Sequence, residues 1–114
     1  MPDCIFCQIA SKQLSAHITY EDKQVIAFND IDPQAPVHQL IIPKQHISTL
    51  NDITSESIPL IGHMVKVASE LAHEFNLNES GYRTVFNCNA NGGQMVFHIH
   101  LHLLGGRQMS WPPG

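Results

Sequence analysis

The sequence predicts an α+β fold, in which one long helix and a short N-terminal helix pack with a mainly antiparallel sheet of five strands. Three observations predict it: three short apolar runs in the first 43 residues, one long amphipathic segment in the middle, and two more apolar runs after it. Strands grouped on either side of a single helix favour α+β over alternating β–α units. The length of 114 residues suits one domain, which we expect to span residues 1–114.

The first half of the chain supplies the short helix and three strands. Residues 4–11 have the pattern of a short helix or turn. Ile18–Glu21 and Val25–Asn29 flank a short polar turn, which predicts a hairpin. Two prolines and two aspartates predict a loop over residues 30–36. The apolar run at residues 40–43 ends in a proline, as expected of a buried strand.

Residues 57–76 are predicted to form the long helix. At 100° per residue they carry two apolar stripes, whereas a surface helix on a monomer needs only one. The first stripe contains Ile58, Ile61, Val65, Ala68, Ala72 and Phe75, and the second contains Leu60, Met64, Val67 and Leu71. Two stripes predict two partners, the sheet and a second subunit, and therefore a homodimer. The alternative is one wide stripe buried deeply in a single core.

The last third of the chain supplies two strands and a turn. Residues 82–87 and 96–104 are the predicted strands. Residues 89–93, Asn-Ala-Asn-Gly-Gly, tolerate positive φ and predict a turn between them. Residues 105–114 are rich in glycine and proline and are predicted to be irregular.

Composition and charge exclude several functional classes. Hydrophobic residues make up 43% of the chain and charged residues 14%, a globular composition. A net charge of -4, with only six Lys and Arg, argues against binding to nucleic acid or an anionic membrane. No apolar stretch approaches the roughly 18 residues of a membrane span, and no signal peptide is visible. Three cysteines are too few for a disulfide framework, so a cytoplasmic location is predicted.

Three histidines alternate along the predicted last strand. Side chains in a strand point to opposite faces in turn, so His98, His100 and His102 should share one face. The opposite face should pack on the core through Phe97, Ile99, Leu101 and Leu103. The spacing leaves two chemistries open: a metal site with His-x-His ligands, or attack on phosphorus by a neutral imidazole. An exposed polar sheet face is the structural alternative.

The histidine row resembles the signature of a known family. Residues 98–104, His-Ile-His-Leu-His-Leu-Leu, are similar to the histidine-triad (HIT) signature, in which histidine and apolar residues alternate. Residues 30–38, Asn87, residues 92–94 and the tail at residues 104–114 resemble the Hint branch of that superfamily. The resemblance implies a HIT-like fold and a homodimeric purine nucleoside phosphoramidase. Such an enzyme hydrolyses the P–N bond of adenosine 5′-phosphoramidates and related purine compounds, leaving AMP or GMP.

The resemblance also implies a role for each matching residue. His100 would be the nucleophile and His102 would contact the phosphate and protonate the leaving amine, while His98 and His38 would orient the imidazoles. No metal would take part in the chemistry. The phosphate would be held by Asn87 and the backbone of Gly93, Gln94 and Met95, the ribose by Asp30, and the base by Ile31, Phe6, Ile9, Leu14, Phe28 and Leu40. Alternatively, Asp30 is only a turn residue, and Ile9 and Leu14 belong to the ordinary core.

One position departs from the Hint pattern, and other activities compete with the phosphoramidase. The Hint branch usually has a serine at the position of Met95, so we expect leaving-group handling or rate to differ. A dinucleoside polyphosphate hydrolase of the same superfamily is one alternative, which the tail argues against. A metallohydrolase that uses the triad as ligands is another. A non-enzymatic nucleotide-binding partner protein is the third.

The N-terminus carries a Cys-x-x-Cys pair, Cys4 and Cys7. A thioredoxin-like redox motif would need a preceding strand, and too few residues precede the pair. Two cysteines need two more ligands for a closed zinc site. Some HIT proteins with such a cysteine pair bind zinc there. The resemblance implies that His46 and His98 would be the two remaining ligands in this chain. The expected zinc is structural and would fix His98 beside His100; two buried free thiols with His46 on the surface are the alternative.

Overall fold

One antiparallel five-stranded sheet organises the chain, which the computed structural model describes over residues 3–114. The strands follow the spatial order β1-β2-β3-β5-β4. Their bounds are β1 Ile18–Glu21, β2 Val25–Asn29, β3 Val37–Pro43, β4 Tyr82–Phe86 and β5 Leu101–Gly105, and the helices are α1 Ile5–Ala10, α2 Ile58–Glu74 and α3 Asn89–Gly92. The predicted α+β fold, the hairpin and both predicted helices are confirmed.

Helix α2 lies on one face of the sheet, against β3 and β5. Its second apolar stripe, Leu60, Met64, Val67 and Leu71, is buried in the core with Ala68 and Ala72. Burying each large side chain contributes about 1.5–3 kcal/mol. The first stripe is divided, since its members Ala68 and Ala72 are buried whereas Ile58 is 62% exposed and Val65 is 50% exposed. A single wide buried stripe therefore does not describe this helix.

The opposite face of the sheet is only partly covered. Helix α1 packs there on β2 and β3 through a second apolar cluster. The buried members of this cluster are Phe6, Ile9, Ile26, Phe28, Leu40 and Ile42. Because α1 has only six residues, it leaves room beside it for an open pocket.

The last strand begins later than predicted, at Leu101 rather than at residue 96. Strand β3 pairs with β5 only as far as Ile41 opposite Leu101, and β3 ends at Pro43, whose nitrogen cannot donate to a ladder. The chain before Leu101 therefore has no sheet partner, although the Ile99 N–H donates to the Ile47 carbonyl (2.8 Å). Ile99, Leu101 and Leu103 do face the α2 core. Phe97 does not, because it precedes the paired segment and is 49% exposed.

The predicted turn at residues 89–93 is a single helical turn, α3, followed by a left-handed residue. Asn89 has φ 61° and Gly93 has φ 82°, so the backbone adopts positive φ at both ends of the segment, as its residue types predicted. After Gly105 the chain forms no further helix or strand up to Gly114. Within residues 3–114, none of the helices has the length and apolar character needed to cross a membrane.

Candidate active site

A cavity of about 720 Å³ opens on the sheet face that α1 covers in part. A volume of this size suits a small organic ligand. Most of the residues predicted for the site line it: Phe6, Ile9, Leu14, Phe28, Asp30, Ile31, His38, Leu40, Asn87, Gly93, Met95, His100 and His102. Gln94 and His98 are absent from this lining, and both side chains make their contacts elsewhere.

His100 presents one free ring nitrogen to the pocket. Its Nδ1–H donates to the backbone carbonyl of His98 (2.8 Å), because a carbonyl can only accept. In the neutral ring this leaves the lone pair on Nε2. Burial lowers the pKa of His100, which favours that neutral form. The ring lies edge-on to Phe6, with centroids 5.0 Å apart. A neutral imidazole with a fixed Nδ1–H can act as a nucleophile through Nε2.

The second feature of the site is a chain of hydrogen bonds that ends at His102. The backbone N–H of Gln34 donates to His38 Nδ1 (3.0 Å), so the proton of the neutral His38 ring lies on Nε2. That nitrogen faces His102 Nδ1 at 2.9 Å. His102 in turn carries its proton on Nε2, a buried atom that has no partner in the described part of the chain. A buried donor without an acceptor is costly, which indicates a bound ligand here.

The buried histidines of this chain favour their neutral forms. Burial, followed by the neighbouring charges of His100 and His38, lowers the pKa of His102 to about 4. Burial also lowers the pKa of His38, although Asp30 acts in the opposite direction. Near neutral pH both rings therefore donate or accept hydrogen bonds without carrying charge.

The backbone amides expected to hold phosphate are only partly available. The N–H of Gly93 donates to the Ala90 carbonyl (3.0 Å), and the N–H of Gln94 donates to the Asn89 carbonyl (3.1 Å). Both bonds close the α3 turn. The amides of Gly93 and Gln94 are therefore not free to bind phosphate in the way that the resemblance implied. The N–H of Met95 has no partner among residues 3–114, and the Met95 side chain is 87% exposed at the pocket rim.

Gln94 has a structural contact pattern that the sequence did not predict. Its buried side-chain amide donates to the carbonyls of Ser48 (2.7 Å) and Val96 (3.1 Å), and its oxygen accepts from the Asn89 N–H (2.9 Å). It therefore ties the α3 turn to the loop after β3. No spacing or motif identifies such a contact, because its partners are backbone groups far apart in sequence.

Asp30 and Ile31 lie at the mouth of the pocket. Asp30 Oδ1 accepts a hydrogen bond from the Asp32 N–H (2.8 Å). The alternative that Asp30 is only a turn residue therefore applies to one of its two carboxylate oxygens. Its Oδ2 lies 3.4 Å from His38 Nε2. The Ile31 side chain is fully exposed in this lining, whereas Phe28 and Leu40 form the buried floor. An exposed apolar side chain beside a cavity becomes buried only when a ligand or partner covers it.

The Cys-x-x-Cys pair meets two histidines behind the pocket. Cys4 Sγ lies 3.4 Å from His98 Nδ1, and Cys7 Sγ lies 3.5 Å from the same nitrogen. His46 Nδ1 lies 3.3 Å from Cys7 Sγ and 3.3 Å from His98 Nδ1. These four atoms form a compact cluster capable of holding a metal ion.

The donor set of this cluster fits zinc. Because His98 Nε2–H donates to the Pro43 carbonyl (2.7 Å), its Nδ1 presents a lone pair to the cluster. Tetrahedral zinc, with Zn–N of about 2.0–2.1 Å and Zn–S of about 2.3 Å, places its ligand atoms roughly 3.3–3.8 Å apart. The observed separations of 3.3–3.5 Å are close to that range. His98 therefore faces the cluster with its side chain, while its backbone carbonyl accepts the Nδ1–H of His100.

Comparison with known proteins gives matches over almost the whole chain. Residues 3–111 match the family model described as "Scavenger mRNA decapping enzyme C-term binding". An uncharacterized HIT-like protein of Synechococcus elongatus is 49% identical over 112 residues, which cover 98% of this chain and 97% of that protein.

Solved structures agree with this result. The crystal structure of a HIT family hydrolase from Legionella pneumophila is 54% identical with a TM-score of 0.97, covering 98% of this chain and 100% of that one. A histidine triad nucleotide-binding protein from Candida albicans is 30% identical with a TM-score of 0.82, covering 96% and 83% of the two chains. The likeness therefore includes the sheet, the helices and the pocket-forming loops.

Proposed function

Because this chain belongs to the histidine-triad (HIT) family, we propose that it is a purine nucleoside phosphoramidase that works through a nucleotidyl-His100 intermediate. Solved relatives described as HIT family hydrolases support the broader class of hydrolase. One observation carries the finer proposal: His100, whose Nε2 lone pair is free in the neutral ring, and His102, whose buried Nε2–H has no partner among residues 3–114, line the same cavity. A nucleophile beside a buried donor is the arrangement that substitution at phosphorus requires.

In the first step His100 Nε2 attacks phosphorus and the P–N bond breaks. The electron pair of that bond leaves with the nitrogen, which also takes up a proton and departs as the amine. That proton comes from solvent and is carried on the substrate nitrogen, because a neutral His102 cannot give up its Nε2 proton without becoming an anion; the His102 Nε2–H instead donates a hydrogen bond to the phosphoryl group. The Nδ1–H of His100 keeps its bond to the His98 carbonyl and so stabilises the positive charge that develops on the ring.

In the second step water attacks the phosphorus of the nucleotidyl-His100 intermediate. One proton of this water passes to solvent, because the Nε2 of the neutral His102 already carries a proton and its Nδ1 accepts the His38 Nε2–H. His100 leaves as a neutral imidazole and the nucleoside monophosphate, AMP or GMP, is released. The Met95 N–H and the Asn87 amide are the donors proposed for the phosphate oxygens in both steps.

The pocket offers a site for each part of the nucleoside. Asp30 Oδ2 is the acceptor proposed for the ribose hydroxyls, since Oδ1 is engaged in the turn. Phe6, Phe28, Leu40 and Ile31 are proposed to enclose a purine ring. The Candida albicans relative, a histidine triad nucleotide-binding protein, supports a nucleotide as ligand.

Zinc and a second subunit complete the proposal. Cys4, Cys7, His46 and His98 would hold a zinc ion with no open position, so zinc would be structural. The exposed stripe with Ile58 and Val65 on α2 would be covered by a second copy of the chain. The cytoplasmic location expected from the cysteine content, and the absence of nucleic-acid and membrane partners, stay predictions.

The test is turnover of adenosine 5′-phosphoramidate by the wild type and by His100→Ala, together with AMP binding to both. We expect the wild type to hydrolyse the P–N bond and His100→Ala to bind AMP without turnover. Rapid acid-free quenching of the wild type should trap a nucleotidyl group on His100. Turnover by His100→Ala, or turnover without a covalent intermediate, would favour a metallohydrolase; AMP binding without wild-type turnover would favour a non-enzymatic partner protein. Faster turnover of diadenosine polyphosphate than of the phosphoramidate would favour the dinucleoside polyphosphate hydrolase.

A further inference from the structure

Helix α1 belongs to two sites at once. Cys4 and Cys7 lie at its start and contribute to the Cys/His cluster. Phe6, between them in sequence, lines the nucleotide pocket, as do Ile5 and Ile9 on the same helix. This six-residue helix together with its N-cap residue Cys4 therefore carries half of the metal ligands and part of the apolar wall of the pocket.

The contacts of Phe6 join the two sites directly. Its ring lies edge-on to His100 with centroids 5.0 Å apart, and edge-on to the metal-cluster residue His98 at 5.9 Å. A third edge contact, at 5.6 Å, is with Phe28 of the pocket floor. A shift of α1 would consequently move the ring that sets the position of the nucleophile and part of the base pocket.

Helix α1 cannot hold this position by its own stability. An isolated helix shorter than about 12 residues is marginal in water, and α1 has six residues. Two imidazole nitrogens, His46 Nδ1 and His98 Nδ1, face each other at 3.3 Å in the cluster, an arrangement that a shared cation stabilises. Without the cation, the cluster gives α1 much weaker attachment to the rest of the chain.

We propose that a zinc ion held by Cys4, Cys7, His46 and His98 and a nucleotide in the pocket raise each other's affinity through Phe6 and helix α1. Zinc fixes the wall on which the nucleoside packs, and a bound nucleoside holds α1 where the two thiolates meet the two histidines. Linkage requires the two effects to be equal. The proposal rests on the proposed function only in requiring that the pocket bind a nucleotide, and it does not require turnover.

The test measures AMP affinity by calorimetry for the zinc-loaded and chelator-treated full chain, with circular dichroism to establish that both are folded. We expect AMP to bind about tenfold more weakly without zinc, within the usual range of coupling between sites. Release of zinc to a chromophoric chelator should slow in the presence of AMP, and the zinc affinity should rise by the same factor. Equal AMP affinities with and without zinc, or a chain that binds no zinc, would overturn the coupling while leaving the phosphoramidase intact. Failure of the zinc-loaded chain to bind AMP would overturn both.

Two pairs of variants separate the coupling from a loss of folding. Cys7→Ser should weaken both zinc and AMP binding, whereas Cys88→Ser, a cysteine outside the cluster, should weaken neither. Phe6→Leu retains every metal ligand and can be studied with zinc bound, so it remains informative if the metal-free chain unfolds. We expect AMP to slow zinc release from wild type and from Phe75→Leu, a control at a partly exposed residue directly after α2, but not from Phe6→Leu. Equal slowing in all three would overturn the role of Phe6.

Discussion

His38 Nε2 lies 2.9 Å from His102 Nδ1, and the proton between the two rings belongs to His38. The Gln34 N–H already donates to the other nitrogen of His38 (3.0 Å), which fixes the tautomer. Each ring thereby determines the proton position in the next, and the result is an N–H on His102 Nε2. A backbone amide outside the triad thus selects which nitrogen of His102 can donate to a ligand.

Replacing His38 by Phe should lower kcat/KM about 100-fold, within the range for losing one preorganised hydrogen-bond donor. An aromatic ring is retained, but His102 loses the donor that fixes its tautomer. Steady-state kinetics with adenosine 5′-phosphoramidate measures the effect, and AMP binding serves as the control for an intact pocket. Unchanged kcat/KM would show that the tautomer of His102 is not set by His38.

Replacing Ile31 by Ala should weaken AMP binding by about fivefold, roughly 1 kcal/mol, because a purine ring would no longer bury the larger side chain. Ile31 is fully exposed in the free chain, so the melting temperature should not change. Calorimetry and thermal unfolding measure the two quantities. A lower melting temperature with unchanged affinity would place Ile31 in the fold rather than in the ligand site.

Replacing Gln94 by Ala should destabilise the chain by about 2–4 kcal/mol. Three part-buried hydrogen bonds to backbone groups are lost, so the carbonyls of Ser48 and Val96 lose a donor and the Asn89 N–H loses an acceptor. Chemical denaturation measures the free energy of unfolding. Gln108→Ala, which removes an exposed amide bonded to the Met109 carbonyl, is the matched control and should change stability by less than about 0.5 kcal/mol.

Replacing Asp22 by Asn should destabilise the chain by about 1–2 kcal/mol at neutral pH. Burial alone would raise the pKa of Asp22, but hydrogen bonds from His63 Nε2 (2.6 Å), Tyr20 Oη (2.8 Å) and the backbone hold that pKa well below its usual range.

The pH dependence of this difference follows from the depressed pKa. Such a carboxylate contributes stability that is fully present above the unfolded-state pKa of about 3.9 and is lost as the pH falls below it. The difference in unfolding free energy between wild type and Asp22→Asn should therefore hold down to about pH 5 and shrink toward pH 2. An exposed control, Glu79→Gln, should show no such dependence, and a difference that grows on acidification would contradict the assignment.

Replacing Val65 by Asp should convert a dimer into monomers. Val65 is half exposed on α2, and a buried charge at an apolar interface is strongly unfavourable. Sedimentation at several concentrations measures the oligomeric state, with Lys66→Glu on the polar side of the same helix as the control. A wild type that sediments as a monomer at every concentration would contradict the two-partner interpretation of the helix.

Sequence periodicity predicted which residues share a face, but not which backbone groups act on them. The alternation from residue 98 to residue 103 places His100 and His102 opposite Leu101 and Leu103, even though the ladder starts only at Leu101. The late start depends on where β3 ends, which is a tertiary property of a distant segment. The same holds for the carbonyl of Pro43, which orients His98.

The resemblance assigned roles to side chains and could not show competition among donors. The amides of Gly93 and Gln94 fit the expected pattern of a phosphate-binding turn, yet both are used in closing α3. Their availability depends on the single helical turn at residues 89–92, which follows from local φ angles rather than residue type alone. For the metal cluster, in contrast, Cys4 and Cys7 were predicted from their spacing and His46 and His98 from the resemblance, and the structure brings all four together.

Most residues of an active site both line the pocket and pack in the interior. The exposed Met95 does only the first. Met95 lines the pocket, and because it is 87% exposed its side chain adds almost nothing to the packed interior. Every amino acid except proline carries a backbone N–H, so nearly any residue can stand there without loss of folding stability. Substitution at this one position can therefore alter the pocket rim while leaving the fold intact, whereas a change at the buried His98 or His100 would disturb both.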